Sequence, residues 1–382
     1  MARFVAIALQ VLLLLLIAYN AITALWGWRN RRPASRGERL RILRVVIPAH
    51  NEESVIEGVL ADLGDSDYTP SHLRLWVLVD RCTDRTSELA TEAGALVAER
   101  QDGPTGKGSA LAWYLREHPL DPDESLIVFD ADNRVGSDVL GRISDELDAG
   151  HSAIQCYVDP ANPGSSLIAR ASALSYWAGN RMVQLARSNL GWSADLGGTG
   201  MAFTSELLDQ VGGFTESLTE DQELGARIVL AGHRIEWLHD LKIKDEKPTS
   251  VHVTVRQRAR WMSGRRATRR AYFSRLMRAG TPASVDQALR LIQPGRTFIA
   301  FLSGAMTLLA AFTNSTHLLP WSVWCIASVV QVLEPVPFLA RDQVPRRYFL
   351  SYPLLMVLAV LWLPIRVLSH RVSSWYHTPH GP

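Results

Sequence analysis

Two aspartates separated by a single alanine, Asp130 and Asp132, leave the apolar run at residues 127–129. Carboxylates at i and i+2 emerging from a buried strand can both face one divalent cation and a diphosphate, and oxygen ligands select a hard ion such as Mg²⁺ or Mn²⁺. More acidic groups follow two other apolar runs: Glu52 and Glu53 after the first, Asp80 and Asp84 after the second. Taken singly, each is equally what a helix cap or a turn uses; three such strand ends in register point to one shared crevice. Thr219-Glu220-Asp221 heads an amphipathic stretch, where an acidic start suits the partial positive charge of a helix N-terminus. The functional alternative is a general base that takes the proton of an incoming hydroxyl. Gln257-Arg258-Ala259-Arg260-Trp261 sets a forked cation beside an indole, a pair suited to a diphosphate and to stacking on a sugar face. The competing reading is a basic interfacial helix, because Arg265, Arg266, Arg269 and Arg270 follow at once.

These residues need a scaffold that brings strand ends together. From residue 44 to about 247, short β-rich apolar runs alternate with helical stretches, which predicts an α/β fold with a largely parallel sheet. Residues 44–49, 75–80 and 125–130 read as buried strands; residues 52–63 and 84–93 have helical spacing, with Thr83 or Asp84 placed as an N-cap. In such a sheet ligands bind beyond the carboxyl ends of the strands, where the acidic groups fall.

The chain of 382 residues carries 40 Lys and Arg against 38 Asp and Glu, so its formal charge of +2 gives no reason to expect a nucleic-acid partner. Its three cysteines, Cys82, Cys156 and Cys325, are scattered and show no metal-ligand spacing, which argues against a disulfide framework. Apolar blocks are segregated to the two ends. Residues 4–26 are long enough as a helix to cross about 30 Å of hydrocarbon, and the run is too long for an ordinary leader. Arg29, Arg31, Arg32, Arg36, Arg39 and Arg41 follow it and only Arg3 precedes it, so the positive-inside tendency places the stretch after Arg29 in the cytoplasm, at the plasma membrane. Further apolar stretches cover residues 298–312, 318–340 and 349–368; the second holds Glu334, Pro335 and Pro337, and an acid at that depth must face protein or water. The expected layout is a membrane helix at 1–28, a cytoplasmic catalytic domain at 29–264, basic interfacial helices at 265–296, with Tyr272, Phe273, Leu276 and Met277 entering the interface, and two or three crossings within 297–370.

The segments VVIPAHNEE, VLVDRCTDRT, GPTGKGSALAW, VFDADN, GGTGMAF, VGGF, TEDQELGARI, DEKPTS and QRARW occur in that order between residues 44 and 264. In this order the chain resembles the family 2 glycosyltransferases, specifically the membrane-bound branch of cellulose synthase, chitin synthase, poly-N-acetylglucosamine synthase and nodulation N-acetylglucosaminyltransferase. The resemblance implies a GT-A, Rossmann-like α/β domain with helical transmembrane segments, a divalent metal cofactor (Mg²⁺ or Mn²⁺) and a UDP-sugar donor. It implies that Pro48, Ala49 and Glu52 border the nucleotide, that Asp80 contacts the uracil, and that Lys107 lies at the donor site. By the same resemblance Asp130 contacts the ribose and diphosphate, Asp132 holds the metal, and Asp221, beside Glu220, is the base. Gln257, Arg260 and Trp261 hold the diphosphate and the acceptor's terminal sugar, while the turn at 197–200, with Gly198 and Thr199, lets backbone approach that acceptor.

The chain departs from many relatives in having His50 for a tyrosine and Val79-Asp80 for a pair of aspartates, and no gating-loop motif follows QRARW. Direct displacement with one base gives inversion, hence a β-linkage from an α-linked donor, with no carboxylate nucleophile of the kind retaining hydrolases use. The leading expectation is a polysaccharide or oligosaccharide synthase. The alternative is a glycolipid synthase acting on a ceramide, diacylglycerol, hopanoid or polyprenyl phosphate, and an inactive membrane scaffold is the third reading. So few crossings make a narrow channel, so polymer export implies a homo-oligomer or an export partner.

Overall fold

The computed structural model describes residues 1–313, 315–349, 351, 352, 355 and 359–372. After helix α1 (Ala2–Ala24) the chain builds strands β1 (Ile42–Ala49), β2 (Leu73–Asp80), β3 (Leu96–Arg100), β4 (Glu124–Val128), β5 (Ala153–Pro160), β6 (Met201–Thr204) and β7 (Ile235–Asp245). Between them lie α2 (Ile56–Gly64), α3 (Thr86–Glu92), α4 (Lys107–Glu117), α5 (Val139–Asp148), α6 (Leu167–Gly179), α7 (Ala186–Asn189), α8 (Ser205–Val211) and α9 (Glu220–Leu230). The strands form one sheet in the order β3-β2-β1-β4-β6-β5-β7; β6 alone runs antiparallel to its neighbours. Strand residues alternate between faces. Val46 and Leu78 join the core beneath α4, α6, α8 and α9, while Val45, Ile47, Val77 and Val79 join the core beneath α2, α3 and α5. Covering both faces is what a mostly parallel sheet requires. Strands β1, β2 and β4 are mutually parallel in the order β2-β1-β4, so their carboxyl ends open on one edge.

The expected strands are present, with β1 and β2 beginning two residues before the apolar pattern starts. β4 ends early for a visible reason. The Asp130 amide donates to Thr199 Oγ1 (2.9 Å) and Asn133 Oδ1 (3.1 Å) instead of to a neighbouring strand, so the acidic pair turns out of the sheet. Helix α2 starts at Ile56 rather than at 52, because residues 52–55 are a turn tied to the next loop: Glu52 N donates to Thr86 Oγ1 (2.9 Å) and Glu53 N to Asp84 Oδ2 (3.0 Å). Asp84 also accepts from Thr86 N (3.1 Å) across the turn into α3, whose N-cap position is Arg85 rather than the Thr83 or Asp84 expected.

Beyond the sheet, α10 (Val251–Ala279) is one helix of 29 residues, followed by α11 (Pro282–Ile292), α12 (Arg296–Thr313), α13 (Trp321–Leu333), α14 (Pro335–Arg341), α15 (Arg346–Phe349) and α16 (Trp362–Ser369). The expected boundary between 264 and 265 falls inside α10. Nothing in that stretch stops a helix, and Gly264 sits where a Cβ would press on the Thr219 side chain, so α10 packs directly on the loop before α9. Leu276 is fully buried, and Tyr272 and Phe273 pack with it against α9 and α11. This corrects the expectation that these side chains enter a membrane interface; of the four, only Met277 remains largely exposed.

Among the described residues three helices are long and apolar enough to cross a membrane: Arg3–Trp28, Arg296–Thr313 and Trp321–Arg341. Their outward faces are apolar, with Phe4, Leu9, Leu12 and Leu15 exposed on α1, Leu308 and Phe312 on α12, and Ile326 and Leu333 on α13. Glu334, at the junction of α13 and α14, accepts a hydrogen bond from Arg296 Nη2 (2.5 Å), so the acid faces protein as its position demands. The stretch at 349–368 lies partly outside the described residues.

One close approach sets the floor of the site. A Cβ on Gly108 would stand 2.7 Å from Glu220 Cβ, so the first turn of α4 rests directly on the start of α9. Gly108→Ala, although it favours helix, should therefore destabilise the fold by about 1–3 kcal/mol through overpacking. Thermal unfolding checks this; an unchanged midpoint would show that the two helix starts can separate freely.

Candidate active site

The strand ends enclose a cleft of about 450 Å³. Every residue assigned a site role from the sequence lines it: Pro48, Ala49 and Glu52 after β1, Asp80 at the end of β2, Lys107 at the start of α4, Asp130 and Asp132 after β4, Gly198 and Thr199 before β6, Glu220 and Asp221 at the head of α9, and Gln257, Arg260 and Trp261 on α10. Glu53 and Asp84, which had been counted among the converging carboxylates, do not line it. Their side chains join the two loops instead, Asp84 accepting from Glu53 N and Glu53 from Arg85 N (3.0 Å).

At one end, His50 Nδ1 lies 2.6 Å from the carbonyl of Asp80, and the Asp80 carboxylate is held by Arg81 (2.8 Å) and Arg100 (3.4 Å). Asn51 and Arg81, the residues that turn the chain out of this region, both have positive φ, 57° and 54°, a conformation most side chains avoid. Asn51 Oδ1 accepts from Thr83 N (2.8 Å), which ties the two turns together.

In the middle, one carboxylate oxygen from each of Asp130, Asp132 and Asp245 lies within 4.8 Å of the others. Three hard oxygen donors converging in this way fit a divalent cation. The surroundings fit it too: burial, then the charges of Asp245, Asp130 and Glu52, hold the Asp132 carboxyl well above the usual carboxylate range. Glu52 is pushed up to about 8 by burial and by Asp130 and Asp84. Carboxyls raised together in this way mark a cluster short of positive charge.

Two lysines supply part of that charge. Lys107 Nζ donates to Asp130 Oδ1 and to the carbonyl of Gly198 (2.7 Å). Burial alone would lower its pKa, but Asp130, Glu220 and Asp221 together hold it above the ordinary lysine value. Lys247 Nζ donates to Asp245 and sits 3.6 Å above the Tyr176 ring. At the closed end Asp221 keeps part of its surface open to the cleft, and its Oδ1 accepts from Gln222 N (2.7 Å). Burial and the neighbouring Glu220 raise Asp221 to about 7, against the opposing pull of Lys107 and Arg260. Gly198 has φ +85°, and a Cβ there would come 3.8 Å from Asp221 Oδ2, so the glycine turn passes close to that carboxylate. Arg260 Nη1 donates to Leu218 O (3.2 Å), anchoring α10 to the loop that carries Asp221.

Asp245, Lys247 and Tyr176 received no role from the sequence. Asp245 closes β7, and a two-way backbone bridge between Lys244 and Arg134 carries it to the acidic pair. The only available signal was DEKPTS, an acid and a lysine at the end of an apolar alternation, which by itself reads as a turn.

A sequence model described as glycosyltransferase-like family 2 matches residues 41–264. The chain is 29% identical over 241 residues to a β-monoglucosyldiacylglycerol synthase from Nostoc sp., covering 59% of this chain and 49% of that one. It is 24% identical over 273 residues to an N-acetylglucosaminyltransferase from Rhizobium meliloti, covering 66% and 64%. The chain thus spans about half to two thirds of the length of these relatives. A mannosyltransferase from Pyrobaculum calidifontis, solved in complex with GDP-Man and Mn²⁺, superposes with a TM-score of 0.62 at 19% identity, covering 94% of this chain and 99% of that one, which shows a shared GT-A fold. With its ordered motifs gathered in one cleft and more than half its length matched, the chain belongs to the family 2 glycosyltransferases.

Proposed function

We propose that the cleft carries out inverting, metal-dependent transfer of a sugar from a UDP-sugar to an acceptor hydroxyl. The observation that carries this reading is Asp221, a partly accessible carboxyl raised to about 7, in one cleft with three converging carboxylates. In this reading Pro48, Ala49, Glu52 and Asp80 border the nucleotide and Asp130 meets the ribose and diphosphate. Lys107, Gln257 and Arg260 face the diphosphate with donors, and Trp261 offers an apolar face to a sugar ring. Asp130, Asp132 and Asp245 would hold the Mg²⁺ or Mn²⁺, which supplies positive charge to the leaving diphosphate.

Asp221 takes the acceptor's proton while the acceptor oxygen bonds to the anomeric carbon. The bond from that carbon to the diphosphate breaks, and its electron pair leaves with UDP. The attack comes from the face opposite the leaving group, so an α-linked donor gives a β-linked product. A base titrating near the working pH combines an available carboxylate with a useful driving force for proton transfer.

The acceptor is a saccharide in the first reading and a membrane lipid in the second. A specific observation favours the second: an amphiphilic cavity adjoins the cleft and shares four lining residues with it. The arginines that follow α1 support a catalytic domain on the cytoplasmic face of the plasma membrane. In this layout residues 1–28 and 297–370 are the membrane parts, 29–264 the catalytic domain, and 265–296 the basic helices that join them.

Asp221→Asn should lower turnover of a radiolabelled UDP-sugar by roughly 10²–10⁴-fold while UDP binding persists. In the parent protein the rate should rise with pH through about 7 and flatten above it, because only the ionised carboxylate accepts a proton. Initial rates between pH 5.5 and 8.5 decide this, and a flat profile combined with an active asparagine variant would remove Asp221 from the role. Chelation should abolish transfer. Asp245→Asn should weaken Mn²⁺ binding by at least about tenfold, since even supporting residues around a metal are worth that much. In the parent, Mn²⁺ affinity should rise with pH, because the ion binds the ionised Asp132 carboxylate and the proton must leave to solvent. Titrations followed by electron paramagnetic resonance at pH 6 and pH 8 measure both effects.

A further inference from the structure

The second cavity, of about 430 Å³, shares Ser172, Tyr176, Arg258 and Trp261 with the catalytic cleft. Its lining includes apolar side chains, among them Phe298 at the start of α12 and Trp362 of α16, whose rings stack at 4.0 Å. It also includes Arg258, Arg265, Arg266 and Arg269 of α10 and Arg366 of α16, and none of the described lining residues is Asp or Glu.

Among the described residues none of these guanidinium groups forms an ion pair, although Arg265 feels the charges of Asp195 and Asp221. Among the described residues Arg258 and Arg269 make no hydrogen bond or ion pair, and Arg265 reaches only the Gln222 side-chain amide (3.4 Å). Arg266 meets the His370 ring (2.8 Å) and Ser369 (2.6 Å), and Arg366 lies 5.1 Å from the Trp362 ring. Arg258, Arg266 and Arg269 are half-buried while Arg265 and Arg366 are exposed, and like charges gathered beside an apolar lining repel one another unless an anion joins them. Guanidinium forks fit phosphate best, and the apolar lining fits hydrocarbon. Asp221 lines the cleft and not this cavity, but Arg265 is near enough to it for their charges to interact, and Gln222, which Arg265 contacts, follows Asp221 in α9.

We propose that this cavity holds the acceptor, a membrane lipid whose headgroup carries a phosphate beside the hydroxyl that receives the sugar. The proposal rests on the glycosyl-transfer reading of the cleft. The arginines fix the phosphate, the hydrocarbon lies along Phe298 and Trp362, and the hydroxyl projects past Trp261 to Asp221. A hydroxyl is the nucleophile because an ionised phosphate oxygen has no proton for Asp221 to remove. The phosphate itself is unchanged by the reaction.

The test uses the full-length protein in phosphatidylcholine nanodiscs with a panel of labelled UDP-sugars. Acceptors are phosphatidylglycerol, diacylglycerol, a polyprenyl-diphosphate-linked sugar and a soluble β-linked glucose oligosaccharide. One of the two phosphate-bearing lipids should be labelled at least about tenfold faster than diacylglycerol, equivalent to one charge-assisted contact. Which of the two it is identifies the lipid backbone. The double substitution Arg266→Gln with Arg269→Gln should bring the ratio to diacylglycerol close to one by raising KM for the anionic lipid, and the corresponding Lys pair should restore most of the preference. A faster reaction with diacylglycerol or the oligosaccharide, or a ratio untouched by the Gln pair, overturns the lipid assignment while leaving glycosyl transfer standing. No binding of any UDP-sugar would overturn the reading of the cleft and this inference with it.

Discussion

Mutual repulsion among carboxylates is the constraint around which this structure is arranged. Glu52 after β1, Asp130 and Asp132 after β4, and Asp245 at the end of β7 meet in the middle of the cleft, and Glu220 and Asp221 line it from the head of α9. Left alone, such a group raises its own pKa values, as it does at Asp132 and Glu52. The fold tolerates the cluster because the sheet and its covering helices fix the strand ends independently. Two lysines, each hydrogen-bonded to one aspartate of the trio, remove part of the excess.

The same constraint accounts for the fine structure of the turn at 130–133. Thr199 Oγ1 accepts from Asp130 N and donates to Asn133 Oδ1, so the glycine turn before β6 holds the acidic turn after β4. Asn133 in turn donates to Asp132 and Asp245, each at 3.4 Å. Thr199 and Asn133 are neutral and fully or almost fully buried, and they orient charged neighbours without adding charge of their own. Antiparallel β6 is what allows this, because its entry loop arrives at the edge where its parallel neighbours leave.

Much of this was legible in the sequence, and what was missed has a common physical reason. The α/β alternation and the acidic strand ends are local signals, carried by runs such as residues 45–49 and 127–132, and they located β1, β2, β4 and the cleft. Asp245 was missed because its role depends on the end of β7 bridging to the turn after β4, a contact between segments far apart in the chain that no local pattern encodes. Glu53 and Asp84 were overcounted for the converse reason. Their spacing from the strands matches that of true lining residues, and only the tertiary tie between their loops turns them aside. The aromatic and leucine side chains of 272–276 had the composition of an interfacial face, yet α9 and α11 occupy that face first.

α10 joins the two halves of the molecule, and its helical period explains how. Arg258, Trp261, Met262, Arg265 and Arg269 recur at intervals of three and four residues and so form one stripe along the second cavity. Gln257 and Arg260 lie on the adjoining stripe and face the first, with Trp261 at the seam between both. Arg260 ties the helix to Leu218, just before the acidic motif, and Gly264 sets it against Thr219. One rigid element therefore fixes the distance between the cationic cavity and the base. A sequence pattern that reads as a basic surface helix is, in the fold, an internal partition with a different chemistry on each side, which is why neither of its two sequence readings was complete on its own.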